Sequence, residues 1–102
     1  MSTKINVQCE LRDNAILKDT LKQMGIDFSA KSQDVITIQR AYAPIMINTS
    51  TGELSYDSAA TREIESITKR YAANFLKDQC LREGNHVEEE IDSNGDIRIH
   101  IL

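Results

Sequence analysis

The run Asp57-Ser58-Ala59-Ala60-Thr61-Arg62-Glu63-Ile64-Glu65-Ser66-Ile67-Thr68-Lys69-Arg70-Tyr71-Ala72-Ala73-Asn74-Phe75-Leu76-Lys77-Asp78-Gln79-Cys80-Leu81-Arg82-Glu83-Gly84 decides how the rest of the chain must be arranged. Residues 57–83 contain neither Pro nor Gly and are rich in Ala, Leu, Lys, Arg and Glu, so they predict one long helix. Asp57 or Ser58 can cap its start, and Gly84 can take the left-handed conformation that ends it. At about 100° per residue, Ala60, Ile64, Ile67, Tyr71 and Phe75 fall on one stripe, which Ala72, Leu76 and Cys80 widen. The other side carries Arg62, Ser66, Lys69, Arg70, Ala73 and Lys77. The helix is therefore expected to bury one face and to show a cationic ladder on the other.

That ladder has two readings. Charged faces of surface helices are commonly just solvated. The formal net charge of the chain, however, is −4, and four cations here have no carboxylate directly among them. Glu63 and Glu65 lie to either side and could pair with Lys69 or Arg70 at helical spacing. A local positive strip on an acidic protein suits a small phosphate-bearing ligand better than long nucleic acid, which selects a basic domain overall.

Working outward, 102 residues with 40% hydrophobic and 27% charged content describe one soluble globular domain, 1–102. Such a chain buries roughly 60–65% of its unfolded surface without covalent staples. No apolar run approaches the roughly 18 residues of a membrane span, and no signal-peptide core is evident. Cys9 and Cys80 read as buried free thiols in a reducing compartment, so a cytoplasmic location is expected.

Before the long helix, residues 4–11 alternate, with Ile5, Val7, Cys9 and Leu11 facing inward as a half-buried strand. Asp13 or Asn14 caps a short helix reaching Met24, its inward side made by Ile16, Leu17, Leu21 and Met24, and Gly25 closes it. Ile26 to Phe28 reads as a brief strand, and Val35 to Tyr42 as a longer one. Pro44 interrupts pairing, so the region of residues 44–48 is expected at a sheet edge or corner. Thr49-Ser50-Thr51-Gly52 is a hairpin turn into the strand that ends at Tyr56.

After Gly84 a second hairpin follows, and its register can be derived. A two-residue Asn94-Gly95 turn would set Ile91 against Arg98. A three-residue loop, Ser93-Asn94-Gly95, instead pairs Ile91 with Ile97, Glu90 with Arg98 and Glu88 with His100, leaving Gly95 left-handed in a bulge. The second register is the expectation. Glu89 then falls on the apolar side, where only an edge position or a subunit contact would account for it. The element order predicts an α+β fold: an antiparallel sheet with one short and one long helix packed on one face, and a C-terminal β-hairpin.

Several chemistries have no sequence support. There is no Gly-rich phosphate loop. His86 and His100 lack ligand-spaced partners for a metal, and no cofactor is expected. The glutamates 88–90 alternate faces and cannot converge as an acid–base pair, while Cys80 has no nearby base. A non-enzymatic role is expected.

Tyr42-Ala43-Pro44-Ile45, Thr51-Gly52-Glu53, Tyr56-Asp57, Arg70-Tyr71-Ala72 and Ser93-Asn94-Gly95-Asp96-Ile97 occur in an order that resembles the proteins grouped as domain of unknown function 1257. These include plastid open-reading-frame 35 proteins and many tailed-phage proteins. The resemblance runs over nearly the whole chain, though each word is short. It differs at Ser2-Thr3, where the family commonly begins Ser-His, and at Ser58-Ala59-Ala60, where an aromatic Gly-rich segment is usual. The resemblance implies an α+β fold and, through similar phage proteins, a homo-oligomeric anti-CBASS sponge that binds cyclic nucleotide immune signals such as cyclic GMP–AMP without cleaving them. A cyclic dinucleotide needs cations for two phosphates and stacking surfaces for two purines. Arg62, Lys69 and Arg70 are the candidate cations, and Tyr42, Tyr56 and Tyr71, with Arg40, the candidate stackers or donors. Tyr71 also reads as core, being on the apolar stripe. A two-fold ligand fits a two-fold junction between subunits, a dimer or tetramer. The alternative is a module that docks another protein through its sheet edge or the cationic helix face.

Overall fold

The computed structural model describes residues 3–102. Strands β1 (Lys4–Gln8), β2 (Val35–Ile38), β3 (Ile45–Asn48) and β4 (Glu53–Asp57) form an antiparallel sheet in the order β1-β4-β3-β2. Helices α1 (Asn14–Gln23) and α2 (Thr61–Arg82) pack together against one face, and a hairpin of β5 (Val87–Ile91) and β6 (Ile97–Ile101) makes a second, two-stranded sheet. The architecture is the expected α+β one. No helix among the described residues is long and apolar enough to cross a membrane.

Alternation along each strand sorts the residues between faces. Ile36, Ile38, Ile45, Ile47, Leu54 and Tyr56 point under the helices, where they meet Leu17 and Leu21 of α1 and Ile64, Ile67 and Tyr71 of α2 in one core. Full burial of each aliphatic side chain contributes about 1.5–3 kcal/mol. Two polar contacts fix the seam between the helices. The Tyr71 hydroxyl accepts the Asp13 backbone N–H at 2.9 Å, just where Asp13 caps α1 by accepting from Ile16 N–H. Asn74 donates to Thr20 Oγ1 at 3.0 Å and to Gln23 Oε1 at 2.9 Å.

Several expectations need correction. The first strand stops at Gln8; Leu11 is fully buried, but off the strand. Val7 is 43% exposed, on the edge strand β1, whereas Ile5 of the same strand packs against the core. Residues 26–28 form no strand, and only a single bridge from Ser29 to Thr37 touches β2 there. The strand beginning at Val35 ends at Ile38, so residues 39–43 make the corner between β2 and β3. Pro44 lies at that corner, but the strand it precedes, β3, is paired on both sides. The missing Pro N–H costs nothing because it sits before the first ladder residue. Asp57 caps a 3-10 turn over Ser58–Ala60, and the α-helix proper starts at Thr61.

The C-terminal hairpin has the expected register, Ile91 opposite Ile97 and Glu89 opposite Ile99, with Gly95 at φ +83°. Its charge pairs, however, run diagonally. His100 Nε2 meets Glu90 at 2.9 Å rather than Glu88, and Arg98 leans to Asp92 at 3.8 Å rather than to Glu90. The right-handed twist of a two-stranded ribbon brings such diagonal neighbours together.

Candidate functional site

Helix α2 has two buried sides. Ile64, Ile67 and Tyr71 enter the main core, but Ala73 and Cys80 are buried as well, and at 100° per residue they lie nearly opposite Tyr71. The hairpin lies across that second side, so the molecule is layered as sheet, helices and hairpin. The cost of this arrangement falls on the expected inner stripe: Leu76 is exposed and Phe75 is at the border of exposure, its ring 6.0 Å from that of Tyr71. One amphipathic period places a single face, and α2 has to serve two.

This layering changes the environment of the cationic ladder. Arg70 Nη1 donates to Glu89 Oε1 at 2.6 Å, and Lys77 Nζ to the same oxygen at 3.2 Å. The side chains of Arg70 and Glu89 are only 13% and 23% exposed. The hydrogen bond from Arg70, followed by that from Lys77, holds the Glu89 carboxyl below the usual glutamate range, against the opposing push of burial. The glutamate on the apolar side of the hairpin and the arginine on the far side of the helix thus answer each other. Lys69 Nζ reaches Asp96 at 3.2 Å, but both side chains are more than half exposed, 54% and 57%. Such a pair is worth about 0.2–1 kcal/mol and opens readily. Arg62 is exposed and has no ion-pair partner among the described residues. The carboxylates that meet the ladder come from the hairpin; Glu63 turns away to Arg40.

The remaining candidates separate by burial. Tyr56 and Tyr71 are core residues. Burial raises the Tyr71 hydroxyl above its ordinary pKa. Tyr42 is 74% exposed on the β2–β3 corner. Beside it, a hollow of about 210 Å³ is lined by Arg40, Ala41, Tyr42, Ala60 and Glu63 among others. The Arg40 guanidinium forms a bidentate pair with Glu63 at 2.7 and 2.6 Å, which raises its pKa further, and its Nη1 donates to the Gln39 carbonyl. The structure therefore brings Arg40 and Tyr42 together. It places Lys69 and Arg70 beside the hairpin instead, and Tyr56 and Tyr71 inside.

Two further concavities were not legible from motif reading. Between α2 and β6 runs an apolar groove of about 390 Å³, lined by Ala72, Ala73, Leu76, Ile97 and Ile99 with the Lys69–Asp96 pair at its border. The uncovered face of the main sheet forms a larger open depression of about 660 Å³. It mixes the amides of Asn6, Gln8 and Asn48 with the apolar side chains of Val7, Val35 and Met46, and Lys4 and Glu53 offset each other in charge. The groove has a sequence signal: Leu76 and the alternating Ile97, Ile99 and Ile101 are more apolar residues than one helix stripe and one strand face can bury. Among the described residues, no three His, Cys, Asp or Glu side chains cluster as a metal site, and both cysteines are free. Burial raises the Cys9 thiol pKa, a shift opposed by a hydrogen bond with the Leu11 backbone. No family model, no curated protein and no solved structure matches this chain.

Proposed function

We propose that this protein is a non-catalytic docking module, and that its working surface is the α2–hairpin side. The observation that carries this reading is the open apolar groove between Leu76 and the isoleucines of β6. A concave apolar surface beside a polar rim offers another macromolecule a place to dock. Ion pairing supports the same reading, because Arg70 and Lys77 are committed to Glu89 and would bring that carboxylate close to any phosphate they met. The test is affinity purification with the intact chain and with Leu76→Asp. One protein partner in fixed stoichiometry, lost in the variant, supports the reading; identical recovery by both chains overturns it.

A second reading, capture of a cyclic dinucleotide, rests on Tyr42. An aromatic ring 74% exposed beside an arginine is a stacking platform without a present occupant in the fold. Arg62 is the cation without a carboxylate, and Lys69 is released at little cost. In this reading the chain sequesters the messenger intact, at a junction between copies. Calorimetry against cyclic di- and trinucleotides tests it. Saturable binding lost in Tyr42→Ala, with the nucleotide recovered whole, supports it, and no heat at micromolar concentrations removes it.

A further inference from the structure

The two edges of the C-terminal hairpin are built differently. Asp92 N–H bonds the Asp96 carbonyl and Leu102 N–H bonds the His86 carbonyl, so the even-numbered residues hold the ladder closed. The odd-numbered residues therefore aim their backbone N–H and C=O groups outward: Val87, Glu89 and Ile91 from β5, and Ile97, Ile99 and Ile101 from β6. None of these outward groups has a backbone partner among the described residues. Along β5 the side chains are Glu88, Glu89 and Glu90, and two such strands in antiparallel register would set Glu89 against Glu89 and Glu88 against Glu90. Like charges directly opposite each other oppose pairing, so this edge is guarded. Along β6 the apolar residues alternate with Arg98 and His100, and those two already lean on Asp92 and Glu90.

We infer that β6 pairs with β6 of a second copy of this chain, antiparallel about Ile99, so that the two hairpins become one four-stranded sheet. This rests on reading the hairpin side as the docking surface, and it names the occupant. In that register Ile99 faces Ile99, Ile97 faces Ile101, and Arg98 faces His100, each keeping its own carboxylate partner. The outward groups of Ile97, Ile99 and Ile101 exchange about six backbone hydrogen bonds across the axis. The proportions fit as well. Two strands span about 10 Å, the width of one helix, so four strands carry two copies of α2 side by side on their inner face. Leu76 of each copy, left open at the groove, is then covered by the joined surface. An interface of this length lies at the low end for specific association, so the dimer is expected to form in the micromolar range.

The test is light scattering with the full chain over a range of concentrations, together with site-directed crosslinking. The measured mass is expected to rise from 11.5 kDa towards twice that value. Ile99→Cys is expected to give a disulfide-linked dimer under copper–phenanthroline, whereas the unaltered chain and Glu88→Cys, on the exposed face of β5, are not. A mass that stays monomeric at high micromolar concentration overturns the inference, as does equal crosslinking of Glu88→Cys and Ile99→Cys. Either of these results leaves the hairpin side as a docking surface with a different occupant, and recovery of another protein by the intact chain but not by Leu76→Asp then distinguishes that case from failure of the docking reading itself.

Discussion

Removing the Glu89 carboxylate should undock the hairpin, and the structure sets the size of the effect. In Glu89→Ala, Arg70 and Lys77 lose their shared acceptor while facing an apolar strand, with Arg70 only 13% exposed. A hydrogen bond to a charged group is worth about 1.5–3 kcal/mol. Breaking a fully buried pair costs about 3–5 kcal/mol, but Glu89 keeps some water contact, so about 2 kcal/mol is expected. For a domain of this size that lowers Tm by about 8–16 °C. A double-mutant cycle isolates the pair: Arg70 and Glu89 should couple by about 1.5–2 kcal/mol, whereas exposed Lys69 and Asp96 should couple by less than about 0.5 kcal/mol. Replacing both partners with apolar residues, Arg70→Met with Glu89→Leu, should recover most of the loss, because no charge is then stranded. The measurement is thermal denaturation by circular dichroism, with amide exchange read at Arg98 and His100, whose N–H groups close the hairpin ladder. Equal coupling of the two pairs, or unchanged exchange in Glu89→Ala, would refute the claim that this contact secures the third layer.

The remaining predictions follow from individual contacts. Because the folded pKa of Glu89 is depressed, its contribution to stability is complete above the unfolded value of about 4.3 and is lost as pH falls through the lower folded pKa. Acid titration of stability should therefore flatten in Glu89→Gln over that window. Gly52→Ala should cost about 2 kcal/mol by denaturant titration: φ is +81°, and the added Cβ would lie 3.0 Å from the Cys9 carbonyl oxygen. Gly84→Ala, with open space around it, should cost about 1 kcal/mol. Tyr71→Phe should lose about 1 kcal/mol by stranding the Asp13 N–H at the start of α1.

The fold was readable wherever one period governed one burial demand. The C-terminal ends of both helices, the Asp13 cap and the hairpin register all followed from local chemistry, and the choice of the Ser93-Asn94-Gly95 loop rested only on keeping isoleucine opposite isoleucine. Reading failed where a residue answered to two partners. Phe75 and Ala73 exchanged their expected environments because α2 is gripped from both sides, which no single helical wheel expresses. Glu89 had no account from its own strand because its reason lies 19 positions away, on Arg70. At the candidate site, the juxtaposition of Arg40 with Tyr42 was legible from closeness in sequence. The burial of Tyr56 and Tyr71 depended on how strands and helices stack, as did the carboxylate cover over the ladder.

The layering also gives the molecule two tiers of protection. The hairpin meets the rest of the fold mainly through α2, so it can lift away while the core of Ile64, Ile67 and Tyr71 stays packed. In that opened form Arg70, Lys77 and the Cys80 sulfur lose their cover, although the helix that carries them is still in place. Such a molecule is stickier and more easily oxidised than a closed one. Any condition that favours lifting of the hairpin lengthens the time spent vulnerable.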